Sequence, residues 1–154
     1  EENSGKLVAL VRQQAKQLAE DQQHSLILID GPPGIGCPVI SSITGADMVL
    51  VVTEPTLAGG HDLERVADLT AHFEIPTAVC VNKADINPQI TEEIEAYCAV
   101  RDLKFLGKIP YDERLIEALV HHQPVVEYAD STSTQCIREI WRKVEELLFE
   151  WNGG

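Results

Sequence analysis

At 154 residues, 44% hydrophobic and 24% charged, the chain is long enough for one domain with a substantial core, and with only 5% aromatics that core is mostly aliphatic. Twelve Lys and Arg stand against 25 Asp and Glu, a net charge of −13, which argues against nucleic acid or an anionic membrane surface as partner. No unbroken apolar run, Met48 to Val52 among them, exceeds five residues, whereas a membrane-spanning helix needs about 20.

The first residues, Glu1, Glu2 and Asn3, carry neither an initiator Met nor a signal peptide, and the sequence reads as an incomplete or processed chain. A first helix is predicted over 6–23, capped by Ser4, with Leu7, Val8, Val11, Ala15, Leu18 and Ala19 on one face. Residues 26–30, Leu-Ile-Leu-Ile-Asp, are apolar on both faces and read as a central parallel strand. Gly31 to Gly36 break it, and Cys37 falls in this Gly/Pro-rich loop. A second strand is predicted over 48–53, then a mobile contact loop over 54–62 and a helix over 60–72. A third strand covers 77–82, with a helix over 91–100. A fourth, over 105–109, is stopped by Pro110 and followed by a helix over 113–120. The last helix runs from 132 to about 151, where Thr132 and Gln135 have capping-box spacing. Its stripe of Ile137, Ile140, Trp141, Val144, Leu147, Leu148 and Trp151 could suit a membrane surface. Its flanks balance Arg138, Arg142 and Lys143 against four glutamates, so a core-packing role is expected.

Strand–helix alternation with apolar strands gives an α/β fold, a mainly parallel sheet flanked by helices, in a single domain over 1–154. In such sheets ligands bind at the carboxyl ends of the strands, and chemistry-bearing residues stand there. Asp30 ends the first strand and could hold Mg²⁺ through water; Gly34, four residues on, lets a backbone N–H approach a phosphate. The bland alternative is a capped tight loop. Asn82-Lys83-Ala84-Asp85 after the third strand forms an NKxD pattern. The Asn82 amide suits a purine edge and the Asp85 carboxylate suits guanine N1 and N2; an Asx-type turn is the alternative. Pro110 to Asp112 could line the same base pocket from its other side, or serve as a stop and a helix cap. His61 and the His121-His122 pair lack partners at metal spacing. Asn3-Ser4-Gly5-Lys6 mimics the tail of a phosphate-binding loop, but the strand and glycine loop that must precede it are missing. The cysteines, at 37, 80, 98 and 136, form no CxxC pair. Cys80 and Cys98 lie in apolar patterns and read as buried thiols of a reducing cytosol.

In this order, LILIDGPPGIG, GADMVLVVTEPT, AVCVNKADINP and LGKIPYDERLIEALVHHQPVV resemble the MinD/ParA group of deviant Walker A P-loop ATPases over nearly the whole chain. NSGKLV and GCPVI resemble the branch with an inserted bacterial-type ferredoxin domain. The resemblance implies a P-loop NTPase-like fold with ATP and Mg²⁺ as cofactors. Asp30 then becomes the Mg²⁺-water residue and Gly34 part of the switch loop that senses the γ-phosphate. Asn82 and the turn Pro110–Asp112 become adenine contacts. Asp85 fits a guanine reader of the broader class, although this branch generally uses ATP. Cys37, just past the switch loop, would lie near the phosphates or a dimer surface, or be a small packing residue.

The family begins with a strand and a glycine-rich loop carrying a signature lysine and a Mg²⁺-binding Thr. Neither is in this sequence, nor are the cysteines of the insert that hold 4Fe–4S clusters. The chain therefore resembles a C-terminal half. The family's P-loop strand lies between the strands matching 26–30 and 48–53, so a gap or a non-family pairing is expected there. By resemblance the whole protein is a cytoplasmic, homodimeric ATPase switch linked to iron–sulfur cluster or electron-transfer chemistry, and this portion alone is inactive. Two alternatives stand beside it: a GTPase-like switch reading guanine through NKAD, and a non-catalytic module offering acidic surfaces to a protein partner.

Overall fold

The computed structural model describes residues 2–152, with side chains over 5–150. Its elements in chain order are α1 (Glu2–Gln22), α2 (Cys37–Ile43), β1 (Val49–Thr53), α3 (Leu57–His72), β2 (Thr77–Asn82), α4 (Pro88–Val100), β3 (Lys104–Ile109), α5 (Arg114–Val120), α6 (Val125–Tyr128) and α7 (Thr132–Asn152). The strands form one parallel sheet in the order β1-β2-β3. Parallel neighbours need crossovers, which α3 and α4 supply.

β2 is the middle strand, and its side chains alternate between two cores. Val79 and Val81 join Leu63, Ala84, Ile94 and Cys98 on the side of α3 and α4. Ala78 and Cys80 join Leu106, Ile109, Ile140 and Val144 on the side of α7. The predicted stripe of α7 is thus a packing face, with Ile137, Leu147 and Leu148 at its margin and Trp141 partly exposed; the side chain of Trp151 lies outside the described residues. Lys143 Nζ donates to Leu106 O at 2.8 Å and fastens the helix to β3.

The sheet ends at β1. Residues 26–30 form no strand, and Leu26, Ile27 and Leu28 are exposed, Leu28 by 79%. This corrects the reading of 26–30 as a central strand. A strand exists only where a neighbour takes its N–H and C=O groups, and among the described residues nothing pairs with the free edge of β1, where Val52 is 58% exposed. The gap expected between these two segments is present. Residues Val39 and Ile43 of α2 pack against Ile75, beside Val49 and Leu69, and close the amino end of β1.

The first helix starts earlier than predicted, so Ser4 lies within it, its side chain outside the described residues. α1 packs chiefly on α2, burying Gly5 and Ala19, half-burying Val8, Arg12 and Ala15, and leaving Leu7, Val11 and Leu18 exposed. The predicted apolar face is thus split, because the sheet it would cover stops at β1. Arg12 Nη1 holds the end of α2 by donating to Ser41 O at 2.8 Å and Thr44 O at 2.5 Å.

Three local readings also change. Residues 57–62 are helical, not a loop: Thr56 Oγ1 caps α3 by accepting from Gly59 N–H at 2.9 Å, and a Cβ on Gly59 would fall 2.4 Å from Glu54 O. Cys37 is the exposed first residue of α2. The cap of α7 is Ser131, whose Oγ accepts from Thr134 N–H at 3.4 Å while Ser131 N–H donates to Thr134 Oγ1 at 2.8 Å. The expected Thr132–Gln135 box is displaced by one residue.

Candidate functional site

At the carboxyl ends of the strands, three turns are tied side by side. After β1, Glu54 pairs with Lys83 at 2.6 Å. After β2, Asn82 is half-buried and its Oδ1 accepts from Lys83 N–H at 3.0 Å, with Lys83 in the left-handed region at φ 53°. The bond reaches only the next residue, one short of the Asx-type turn considered above, and the Asn82 Nδ2 donors have no partner among the described residues. Ala84 N–H donates to Ile109 O at 3.0 Å, and Tyr111 N–H donates to Asp85 Oδ1 at 2.7 Å, joining the turn after β2 to the turn after β3.

The turn after β3 is held on its far side by α7. Ser133 Oγ donates to Pro110 O at 3.0 Å and Ser131 Oγ to Asp112 Oδ2 at 2.6 Å, while Asp112 Oδ1 accepts from Arg114 N–H at 3.0 Å. The Ser131 hydroxyl, followed by the Arg114 amide, holds the Asp112 carboxyl below its ordinary value. An open depression of about 660 Å³ lies here, lined by Pro110, Tyr111, Asp112, Arg114, Ser131 and Ser133 among others. Ser131 and Ser133 were missed in the sequence; their signal was the hydroxyl-rich run Ser131 to Thr134 ahead of an apolar helix.

The structure therefore brings Asn82, Asp85, Pro110 and Asp112 together. Asp30 and Gly34 stand apart, and no hydrogen bond or ion pair links them to this cluster. Asp30 is exposed on the unpaired segment, and Gly34 has φ 91° with no atom within 4 Å of where a Cβ would sit. Among the described residues no three His, Cys, Asp or Glu side chains converge on a metal position. A single carboxylate such as Asp30 suits Mg²⁺ in the manner that ion prefers, through water and with phosphate oxygens completing the shell. His61 Nδ1 lies 3.7 Å from Glu64, and the exposed His121 stacks on Tyr128 with ring centroids 5.3 Å apart. Cys80 and Cys98 lie in opposite cores, and burial pushes both thiols up to about 11. No described helix is long and apolar enough to cross a membrane.

No protein-family model matches the chain. It is 26% identical over 148 residues to an uncharacterized protein of Methanocaldococcus jannaschii, covering 96% of this chain and 48% of that protein. It is 27% identical over 160 residues to the iron-sulfur cluster carrier protein of Pyrococcus abyssi, covering 94% and 54%. It is 24% identical over 143 residues to the septum site-determining protein MinD of Bacillus subtilis, covering 88% and 53%. The chain thus spans about half the length of the curated relatives it matches. Among solved structures, the MinD cell division protein of Aquifex aeolicus superposes with a TM-score of 0.72 at 21% identity, covering 85% of this chain and 57% of that one. The same organism's MinC:MinD complex gives 0.71 at 21% identity, covering 85% and 56%. In sequence the chain is thus similar to iron-sulfur cluster carrier proteins and to MinD, and in fold it is similar to MinD.

Proposed function

We propose that this chain is the base-side half of the nucleotide site of a MinD-like ATPase, and that its domain is completed by a further polypeptide segment bearing the phosphate-binding loop. The observation that carries the reading is the tied ledge at the carboxyl ends of β2 and β3, where Asn82 and the Pro110–Asp112 turn stand side by side. Asn82 Nδ2 donates to a ring nitrogen of adenine, and the turn receives its other edge. Asp30 would hold Mg²⁺ through water, and Gly34 would give its loop the freedom to follow the γ-phosphate. The metal would supply charge neutralisation at the phosphates.

In the complete protein, ATP closes a homodimer in the cytoplasm and hydrolysis opens it. The name of the Pyrococcus abyssi relative supports a link to iron–sulfur cluster chemistry. A GTPase reading is weaker, because one Asp85 oxygen is already engaged by Tyr111 N–H. Calorimetry of this chain with Mg-ATP tests the division of labour. Without the phosphate cradle several charge-assisted hydrogen bonds are lost, so binding is expected to be about millimolar or absent, and hydrolysis absent. A low micromolar dissociation constant would show that a phosphate site lies within these residues.

A further inference from the structure

We propose that the outer face of α5, together with α6, is a docking surface for an amphipathic helix of a protein partner, one that flanks an aliphatic stripe with lysine or arginine. The proposal is independent of the nucleotide reading.

The starting point is the composition of α5. Leu115, Ile116, Ala118, Leu119 and Val120 are apolar in a helix that spans only Arg114–Val120. Of these only Ala118 is buried, while Ile116, Leu119 and Val120 are 53%, 73% and 71% exposed. A helix that is apolar on nearly every side is ordinarily covered on more than one. With about 3.6 residues per turn, Leu119, Ile116 and Val120 form a stripe opposite Ala118, and Glu113 and Glu117 form the stripe beside it. An open depression of about 580 Å³ is lined by residues of both stripes and by Tyr111, His121 and Tyr128. Its α6 wall is already in place. Tyr128 stacks on His121, and Arg138 Nη2 fastens α6 to α7 by donating to Val126 O at 2.6 Å. Binding then has little left to order.

Charge selects the occupant. Among the described residues the lining holds two carboxylates and no lysine or arginine; Arg114, on the same helix, lines the neighbouring depression at Asp112 instead. A second copy of this chain would bring up a surface of the same net charge, −13, and an anionic lipid surface would be repelled in the same way. The segment that completes the domain beside β1 does not account for the face, because α5 follows β3, at the opposite edge of the sheet. What fits is an aliphatic ridge laid against Ile116, Leu119 and Val120 with cations beside it against Glu113 and Glu117, a helix-in-groove mode of recognition.

The test is amide-resolved NMR of this chain with three synthetic helical peptides of equal length. One has a leucine stripe flanked by lysines, one the same stripe flanked by glutamates, and one the lysine peptide's composition in scrambled order. The lysine-flanked peptide is expected to shift the amides of 113–121 and 126–128 saturably, and the other two are not. Glu117→Lys and Val120→Ser both change exposed residues, and the amides of Val79 and Val81 in the core report that each variant is folded. Each should weaken the response about fivefold, through an ion pair reversed or a valine no longer covered. Glu117→Lys should also gain a response to the glutamate-flanked peptide. Strongest shifts on α1 and 26–28, a scrambled peptide as effective as the ordered one, or an undiminished response in both variants would overturn the proposal. So would α5 amides that move when the chain alone is diluted, since a second copy would then be the occupant.

Discussion

The segments 26–30 and 77–82 carry similar sequences and have opposite fates. Leu-Ile-Leu-Ile-Asp and Thr-Ala-Val-Cys-Val-Asn are both short apolar runs ending in a polar side chain. The second is β2, paired on both edges and covered on both faces, with Ala78 and Val79 fully buried. The first is unpaired and exposed. An apolar run supplies the tendency to form a strand; hydrogen-bond partners outside the run decide whether it does so. The two halves of the chain differ in the same way. From β1 onward, helices cover both faces of a sheet and the terminal turns are tied together. Before β1, α1 and α2 pack on each other and leave Leu7, Val11 and Leu18 in solvent.

The largest test of this contrast is a pair of truncations read by urea unfolding. Leu63, 1% exposed between α3 and the sheet, should cost about 2–5 kcal/mol as Leu63→Ala through lost burial and a residual cavity. Leu28→Ala should change stability by no more than about 0.5 kcal/mol, since the side chain is already in water. Equal effects would mean that 26–30 is packed in solution.

A second pair compares two glycines. Gly59→Ala sets a Cβ against the Glu54 carbonyl and should cost about 1–3 kcal/mol, as forced overpacking does. Gly34→Ala meets no neighbour and bears only the strain of a left-handed backbone at φ 91°, worth about 1 kcal/mol. Thermal unfolding should rank them in that order, and a reversed ranking would place a close neighbour against Gly34.

The smallest effect sharpens the account of the tied turns. Ser131→Ala removes the cap of α7 and should cost about 1 kcal/mol near neutral pH. It also removes the main cause of the lowered Asp112 value. A carboxyl held below its unfolded value contributes stability that is present above that unfolded value and fades as pH falls through the folded one. The difference between wild type and Ser131→Ala should therefore shrink on acidification below the ordinary carboxylate range. A difference that stays constant across that range would show that the hydroxyl caps the helix without favouring the Asp112 carboxylate.

Much of the fold could be read from local pattern alone. The three strands at 49–53, 77–82 and 104–109 lie within one residue of their predicted bounds, because apolar residues with turn signals on either side leave few alternatives at those positions. The stripe of α7 was legible for the same reason: a helical period brings Ile137, Ile140, Val144 and Leu148 to one face whatever lies beneath it. The MinD/ParA resemblance came from motifs at strand ends, where residue type and position are local facts. The fate of 26–30, the splitting of the α1 face and the tie between Asp85 and Tyr111 were decided by tertiary structure. Each depends on a group far along the chain, or on the absence of one, and residue spacing holds no record of a partner 26 positions away.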